Sequence, residues 1–315
     1  MQGSVRILVD NLAGGGGLRH GWGFACLLES DEGKVLFDTG PEGEMLLNNM
    51  EVLGIDPAEI HHVVLSHAHW DHIGGLPALL RMRRKPELAI KRFRTPGLSG
   101  DDLPRIEVWV PKGFSDEVCE KIQSQGGECR VMDEPGEILP GMWSTGPMDG
   151  GLVEHGLLQS CQDGPLLITG CAHPGVVEMV EKAGALGMGP VRWVLGGFHL
   201  MADSREDLAR VAQELKDLGV RRVGPGHCTG ITAQKFFAEA FLEDCDSIQC
   251  GSSFVFNPKA SGGPRGQEEN GKESSQEGEQ KSKQEDSEEI QQEGDQENQQ
   301  EGDQENRQEG RQEGD

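Results

Sequence analysis

Three imidazoles and a carboxylate fall within six residues, His67-Ala68-His69-Trp70-Asp71-His72, behind an apolar run at residues 60–66 and ahead of Gly74-Gly75. Alternate side chains of an extended segment point the same way, so His67 and His69 can share one cation. A turn after Trp70 then sends Asp71 and His72 towards a second. Neutral imidazole suits Zn²⁺ and other first-row metals, and a carboxylate widens the choice to iron or manganese. The two glycines permit a tight exit from the loop. A fold for this chain must deliver a strand end to an open edge where such a loop can work.

The rest of the pattern supplies strands and helices in alternation. Apolar strand patterns lie at residues 5–9, 24–28, 34–37, 106–110, 165–169, 191–195, 221–223 and 253–256. Helical periodicity covers 44–53, 115–125, 176–186, 205–218 and 232–242. The third strand ends in Asp38-Thr39-Gly40, and residues 14–17 are a glycine loop. This mixture is compatible with an α/β fold but does not single one out. Residues 81–103 are basic and interrupted by proline. They read as a solvated loop or as a cationic flap over an anionic substrate.

Composition divides the chain in two. Of its 315 residues and net charge of −25, residues 260–315 contribute 6 Lys/Arg against 18 Asp/Glu, with only Ala260 and Ile290 apolar. An imperfect eight-residue Glu-Gly-Asp-Gln repeat runs through that segment, which cannot bury enough apolar surface to offset its ordering entropy. The expected organisation is a catalytic domain at 1–259 and a disordered acidic tail at 260–315. The domain itself carries −13, which argues against a phosphate-backbone binder. No apolar run is long enough for a transmembrane helix, and the first residues lack the apolar stretch of a signal peptide. Eight scattered cysteines without a Cys-x-x-Cys then read as reduced thiols in a cytoplasmic protein.

Further blocks share the order and spacing of a known family: Leu8-Val9-Asp10-Asn11, Leu36-Phe37-Asp38-Thr39-Gly40, Leu53-Gly54-Ile55-Asp56, Ile168-Thr169-Gly170-Cys171-Ala172-His173-Pro174-Gly175, Gly196-Gly197-Phe198-His199-Leu200 and Pro225-Gly226-His227-Cys228-Thr229-Gly230. With the histidine motif, they make residues 5–256 resemble the metallo-β-lactamase superfamily. Within it, the Gly-Cys-Ala-His and Gly-Gly-Phe-His-Leu blocks resemble the dihydropterin–ribofuranosylaminobenzene phosphate synthase-like branch.

The resemblance implies an αβ/βα sandwich of two mixed sheets with helices on the outer faces. The cleft along one sheet edge would hold two divalent metal ions, zinc in first place and iron or manganese as alternatives. His67 and His69 match ligands of the first metal, and Asp71, His72 and His227 those of the second. Asp38 matches an aspartate that orients loop groups by hydrogen bonds. His69 stands where oxygen-reducing di-iron relatives carry glutamate.

There are departures from the family pattern. Many superfamily hydrolases carry a histidine where this chain has Thr145-Gly146-Pro147-Met148. His173 is the leading substitute for that third ligand of the first metal, and the nearby His155 is a lesser one. Cys171 occupies the place of the bridging aspartate, as a bridging thiolate or as a buried thiol. His199 reads as a ligand, a general acid, a substrate contact or a structural residue. Cys228 borders His227 and reads as a supporting group, and His20 as a weak substrate contact.

The implied function is hydrolysis of an ester, lactone or phosphoester by a metal-activated hydroxide, with Asp71 and His199 as the catalytic residues. The implied partner is a small anionic substrate, with neither nucleic acid nor membrane. Two alternatives stand beside it. One is a transferase that condenses a dihydropterin with ribofuranosylaminobenzene phosphate; the other is a metal-binding or ligand-sensing protein with little turnover.

Overall fold

Fifteen strands run through residues 2–84 and 104–259, the residues described by the computed structural model. One sheet is built from β1 (Gly3–Val9), β2 (Ala25–Ser30), β3 (Gly33–Phe37), β4 (His62–Val64), β5 (Glu107–Pro111), β6 (Glu128–Met132) and β15 (Ser253–Phe256), in the order β15-β1-β2-β3-β4-β5-β6. The other contains β7 (Gly136–Leu139), β8 (Met142–Ser144), β11 (Leu157–Gln159), β12 (Leu166–Thr169), β13 (Trp193–Gly197) and β14 (Arg222–Gly226), in the order β14-β13-β12-β11-β8-β7. A short hairpin joins β9 (Met148–Asp149) to β10 (Val153–Glu154). The helices are α1 (Gly43–Val52), α2 (Trp70–Ile73), α3 (Leu76–Arg84), α4 (Asp116–Ser124), α5 (Val176–Gly184), α6 (Arg205–Asp217) and α7 (Ile231–Phe241).

Side chains alternate across each strand, so a strand buried on both faces feeds two different cores. In β2, Ala25 and Leu27 join one cluster with α1 and α3, while Cys26 and Leu28 join another that lies between the sheets. In β12, Leu167 packs with α5, α6 and α7, while Leu166 and Ile168 face the inter-sheet core. Three cores separate four layers, helix, sheet, sheet and helix. This is the expected α/β sandwich of two mixed sheets.

Each sheet has a parallel half. β3, β4, β5 and β6 are parallel in the first, and β12, β13 and β14 in the second. The carboxyl ends of parallel strands are where open α/β sheets place their ligand sites. Asp38 follows β3, the histidine loop follows β4, and Cys171, His199 and His227 follow β12, β13 and β14.

Two sequence readings need correction. Residues 126–164 carry β6 to β11, for which no strand was expected. These strands are two to five residues long, too short for an apolar period to register. Cys119 in α4 and Cys129 in β6 form a disulfide, so the reading of all eight cysteines as thiols fails at this pair. The Cα atoms stand 5.4 Å apart because α4 packs back on the strand that follows it.

Most of the expected cationic stretch, at 85–103, and the acidic segment at 260–315 lie outside the described residues. No helix among the described residues is long and apolar enough to cross a membrane.

Candidate metal centre

The histidine loop is set by one buried carboxylate. Asp38 turns out of β3 with a left-handed φ of 57°. Its Oδ1 accepts the Ser66 backbone N–H at 2.7 Å. Its Oδ2 accepts the Ser66 hydroxyl at 2.7 Å and His72 Nδ1 at 2.7 Å. The Ser66 oxygen accepts His67 Nδ1 at 2.8 Å in turn. Both rings are thereby fixed with Nε2 free, the arrangement that second partners impose on metal-binding histidines. A Cβ at Gly170 would stand 2.1 Å from the Ser66 hydroxyl, so the facing loop can close on this cluster only without a side chain. Burial pushes the Asp38 carboxyl up to about 7, against the opposing pull of His67 and the Ser66 hydrogen bonds.

The second sheet uses another buried carboxylate. Glu154 Oε1 accepts the backbone N–H groups of Gly170, Cys171 and Ala172 at 3.2, 2.9 and 2.9 Å. Its Oε2 accepts the His173 backbone N–H at 2.9 Å and the ring Nδ1 at 2.8 Å. Burial alone would raise this carboxyl, but the His173 ring and the surrounding charges and N–H groups hold it well below the usual carboxylate range. His227 is held from β1: Asp10 accepts its backbone N–H at 2.9 Å, and Asn11 Oδ1 accepts its ring Nδ1 at 3.1 Å. Burial raises Asp10 to about 6.

Among the described residues, four of the five non-glycine residues with positive φ lie in these loops: Asp38, Ala172, His199 and His227. Such conformations cost of order 1–3 kcal/mol each and persist where surrounding contacts over-determine them. Here the buried carboxylates provide those contacts for Asp38, Ala172 and His227.

The free donor atoms converge in groups. Those of His67, His69 and His173 lie within 4.8 Å of one another, as do those of Asp71, His72 and His227. Cys171 groups with His67 and His72, one residue from each triad, and its Sγ is 3.2 Å from His72 Nε2. His67 Nε2 faces His69 Nδ1 at 3.1 Å, and His72 Nε2 faces His227 Nε2 at 3.2 Å. Burial lowers His67 and His72 to about 3, with the neighbouring imidazole adding to the shift, so both rings are neutral. Against the upward push of burial, the hydrogen bond from His227 holds Asp71 ionised at about 2. Imidazole nitrogens and one carboxylate gathered at shared points, with His67, His72, His173 and His227 each held at the other ring nitrogen by Ser66, Asp38, Glu154 and Asn11, fit divalent cations.

His67, His69, Asp71, His72, Cys171, His173 and His227 come together in one cluster, with His173 beside His67 and His69. His155 does not join it. It is fully buried, with Nε2 donating to the Leu65 carbonyl at 3.0 Å and Nδ1 2.8 Å from the Ser144 hydroxyl. Both ring nitrogens are used, and the expectation of a lesser ligand is corrected to a brace for the strand that leads into His67. His199 stands exposed at the cleft, its ring 4.6 Å from that of His173. Its pKa is raised by a hydrogen bond to Cys228. His20 is exposed and its Nδ1 donates to the Asn11 carbonyl at 3.1 Å. The exposed Trp22 ring lies 5.0 Å from His227, and Trp70 is exposed within the histidine loop.

Glu154 was missed by sequence reasoning, and so were the roles of Asp10 and Asn11. The Asp10-Asn11 pair stands in a recognised block, which is a usable signal. Glu154 is 16 residues from the nearest group it holds, and nothing local marks it.

Comparison with known proteins gives the family and the fold. The Metallo-beta-lactamase superfamily profile matches residues 23–227. A 7,8-dihydropterin-6-methyl-4-(beta-D-ribofuranosyl)-aminobenzene-5'-phosphate synthase from Methanocaldococcus jannaschii is 31% identical over 268 residues, spanning 76% of this chain and 90% of that protein. The crystal structure of Tm1679, a metal-dependent hydrolase of the beta-lactamase superfamily, superposes with a TM-score of 0.64 at 24% identity, over 82% of this chain and all of that one. Human tRNase Z, short form, has a TM-score of 0.52 at 14% identity, over 80% of this chain and 98% of that one. At these identities the two structures speak for the fold alone.

Proposed function

The chain belongs to the metallo-beta-lactamase superfamily, and from that premise we propose that it is a metal-dependent enzyme that hydrolyses an anionic ester, lactone or phosphoester. The observation that carries this reading is the pair of donor triads joined through Cys171. Two divalent ions held there, zinc in first place and iron or manganese as alternatives, would bring a shared water towards a pKa of about 7 and polarise the scissile carbonyl or phosphoryl group.

The chain's own residues supply the rest. Asp71, ionised and in reach of His227 at 3.3 Å, orients the water and takes up its hydrogen bond. In this reading His199, exposed at the cleft with a raised pKa, donates a proton to the leaving oxygen. Trp22 and Trp70 offer flat apolar surfaces at the mouth. The partner is a small anion rather than a nucleic acid or membrane, since the chain's net charge of −25 opposes any large polyanion.

A second reading rests on the M. jannaschii synthase, matched over 90% of its length. In it the same residues would hold ions that bind the phosphate of ribofuranosylaminobenzene phosphate or activate a leaving group during condensation with a dihydropterin.

Purified protein loaded with zinc, manganese or iron is assayed on a phosphodiester, a lactone and a pterin with a phosphoribosyl partner. Metal-dependent turnover of either of the first two supports the hydrolase. Turnover of the last pair alone overturns it in favour of the synthase. Stoichiometric metal without turnover on any of them points to a binding or sensing protein.

A further inference from the structure

Cys228 belongs to neither triad, although it follows His227 directly and hydrogen-bonds His199. We propose that Cys171, His199 and Cys228 form a third cation site, suited to a thiophilic ion of the Zn²⁺ or Cu⁺ class. The three donor atoms lie within 4.8 Å of one another. Two sulfurs and an imidazole are the donor set that selects such ions over Mg²⁺, Ca²⁺ or Mn²⁺. With a Zn–S bond of about 2.3 Å, tetrahedral sulfur ligands stand roughly 3.8 Å apart, so small side-chain rotations close the set on an ion.

The fold builds this group from three successive strand ends. Cys171 follows β12, His199 follows β13 and Cys228 follows β14, each at the carboxyl end of the next parallel strand. The strand ends are tied together: Thr169 Oγ1 donates to the Gly197 carbonyl at 2.8 Å, and the Phe198 N–H donates to Thr229 Oγ1 at 3.0 Å. Gly197 sits between the two cysteines. A Cβ there would stand 2.7 Å from Cys228 Sγ and 3.1 Å from Cys171 Cα, so glycine is what lets the thiols approach.

Both cysteines are 3% exposed, whereas His199 opens to the cleft. That combination gives a dry pair of soft donors with an entry path on the imidazole side. The Cys228 thiol makes a long contact of 3.6 Å to the Cys171 carbonyl and a hydrogen bond to His199, so the sulfur already faces the two groups that would share the ion. Cys171 is the shared residue. Its Sγ also lies 3.2 Å from His72 Nε2, so an ion in the third site draws on the same sulfur that joins the two triads.

The test uses the full chain, reduced and handled without oxygen, titrated with Cd²⁺. Two signals are read: bound metal per chain by native mass spectrometry, and ultraviolet thiolate-to-metal charge transfer. The expected wild-type stoichiometry exceeds that of Cys228→Ser by one ion, and the serine variant loses about half of the charge-transfer intensity. A double variant, His69→Ala with Asp71→Asn, loses triad ions yet keeps the part of the band that depends on Cys228. This separates failure of the third site from failure of the two-triad reading. Alkylation of Cys228 in unmodified protein, which needs no variant to fold, should slow at least tenfold once Cd²⁺ is bound. Equal stoichiometry and equal band intensity in wild type and Cys228→Ser overturn the proposal, as does an alkylation rate unchanged by Cd²⁺.

Discussion

From the first sheet the centre receives four donors in one uninterrupted loop, His67 to His72. From the second it receives them one strand at a time, with Cys171 and His173 after β12, His199 after β13 and His227 after β14. The first arrangement needs a single orienting carboxylate, since Asp38 reaches Ser66 and His72 at once and His67 through Ser66. The second has separate holders for two of its strand ends: Glu154 for the loop after β12, and Asp10 with Asn11 for the loop after β14. A contiguous loop carries its geometry in its own spacing. Donors spread over separate strands have theirs only through long-range hydrogen bonds, and each of those is a point where the site can be broken.

The largest expected effect is on the contiguous loop. His67→Ala removes the residue shared by the first triad and the Cys171 group. Turnover should fall by about 10³-fold or more, with loss of bound metal by elemental analysis, because polarisation by a bound ion contributes several kcal/mol. A variant that keeps its full metal content would break the assignment of His67.

On the second sheet the corresponding vulnerability is Glu154. Glu154→Ala strands four backbone N–H groups and the His173 ring in a buried place, and should destabilise the metal-free protein by roughly 3–5 kcal/mol in denaturant unfolding. Glu154→Gln, which keeps one acceptor oxygen, should lose less. Equal losses for the two variants would show that the loop does not depend on this acceptor.

Asn11→Ala sharpens the comparison further, because it touches no donor atom. It frees the His227 ring from its Nδ1 partner and should weaken metal binding by about 10–100-fold, with little change in unfolding stability. A competition titration against a chelator reads this directly.

The smallest effect separates brace from ligand. Burial lowers His155 to about 4, so its neutral form is favoured in the folded chain. Stability from this group is fully present above the unfolded pKa of about 6.5 and is lost as pH falls towards 4. Between pH 7 and pH 5 the metal-free wild type should lose about 2 kcal/mol more than His155→Gln. Parallel pH profiles for the two proteins would remove His155 from this role.

The outcome for each element follows from how local its signal is. β1, β2, β3 and α6 were readable because apolar residues recur along them at a regular period. The hairpin strands β7 to β10 were not, since two to four residues do not define a period. His67, His69, Asp71 and His72 could be read together because they share one loop, whereas the sequence left His199 with four possible roles. His155 was misread because a histidine near a missing ligand invites that reading, while its neighbour Glu154 holds the loop. The Cys119–Cys129 pair depends on α4 folding back on β6, which no cysteine spacing expresses.

Taken by itself, the sequence determined the alternation of strands and helices and the contiguous donor loop. These depend on period and spacing over a few residues. Only the tertiary structure decided that His173 completes the first triad, that Cys171 stands between the triads beside Cys228, and that Glu154, Asp10 and Asn11 hold the loops. The physical reason is the strand order. β12, β13 and β14 are neighbours in space but are separated along the chain by whole helices, so their loops meet only when the parallel half of the sheet has formed.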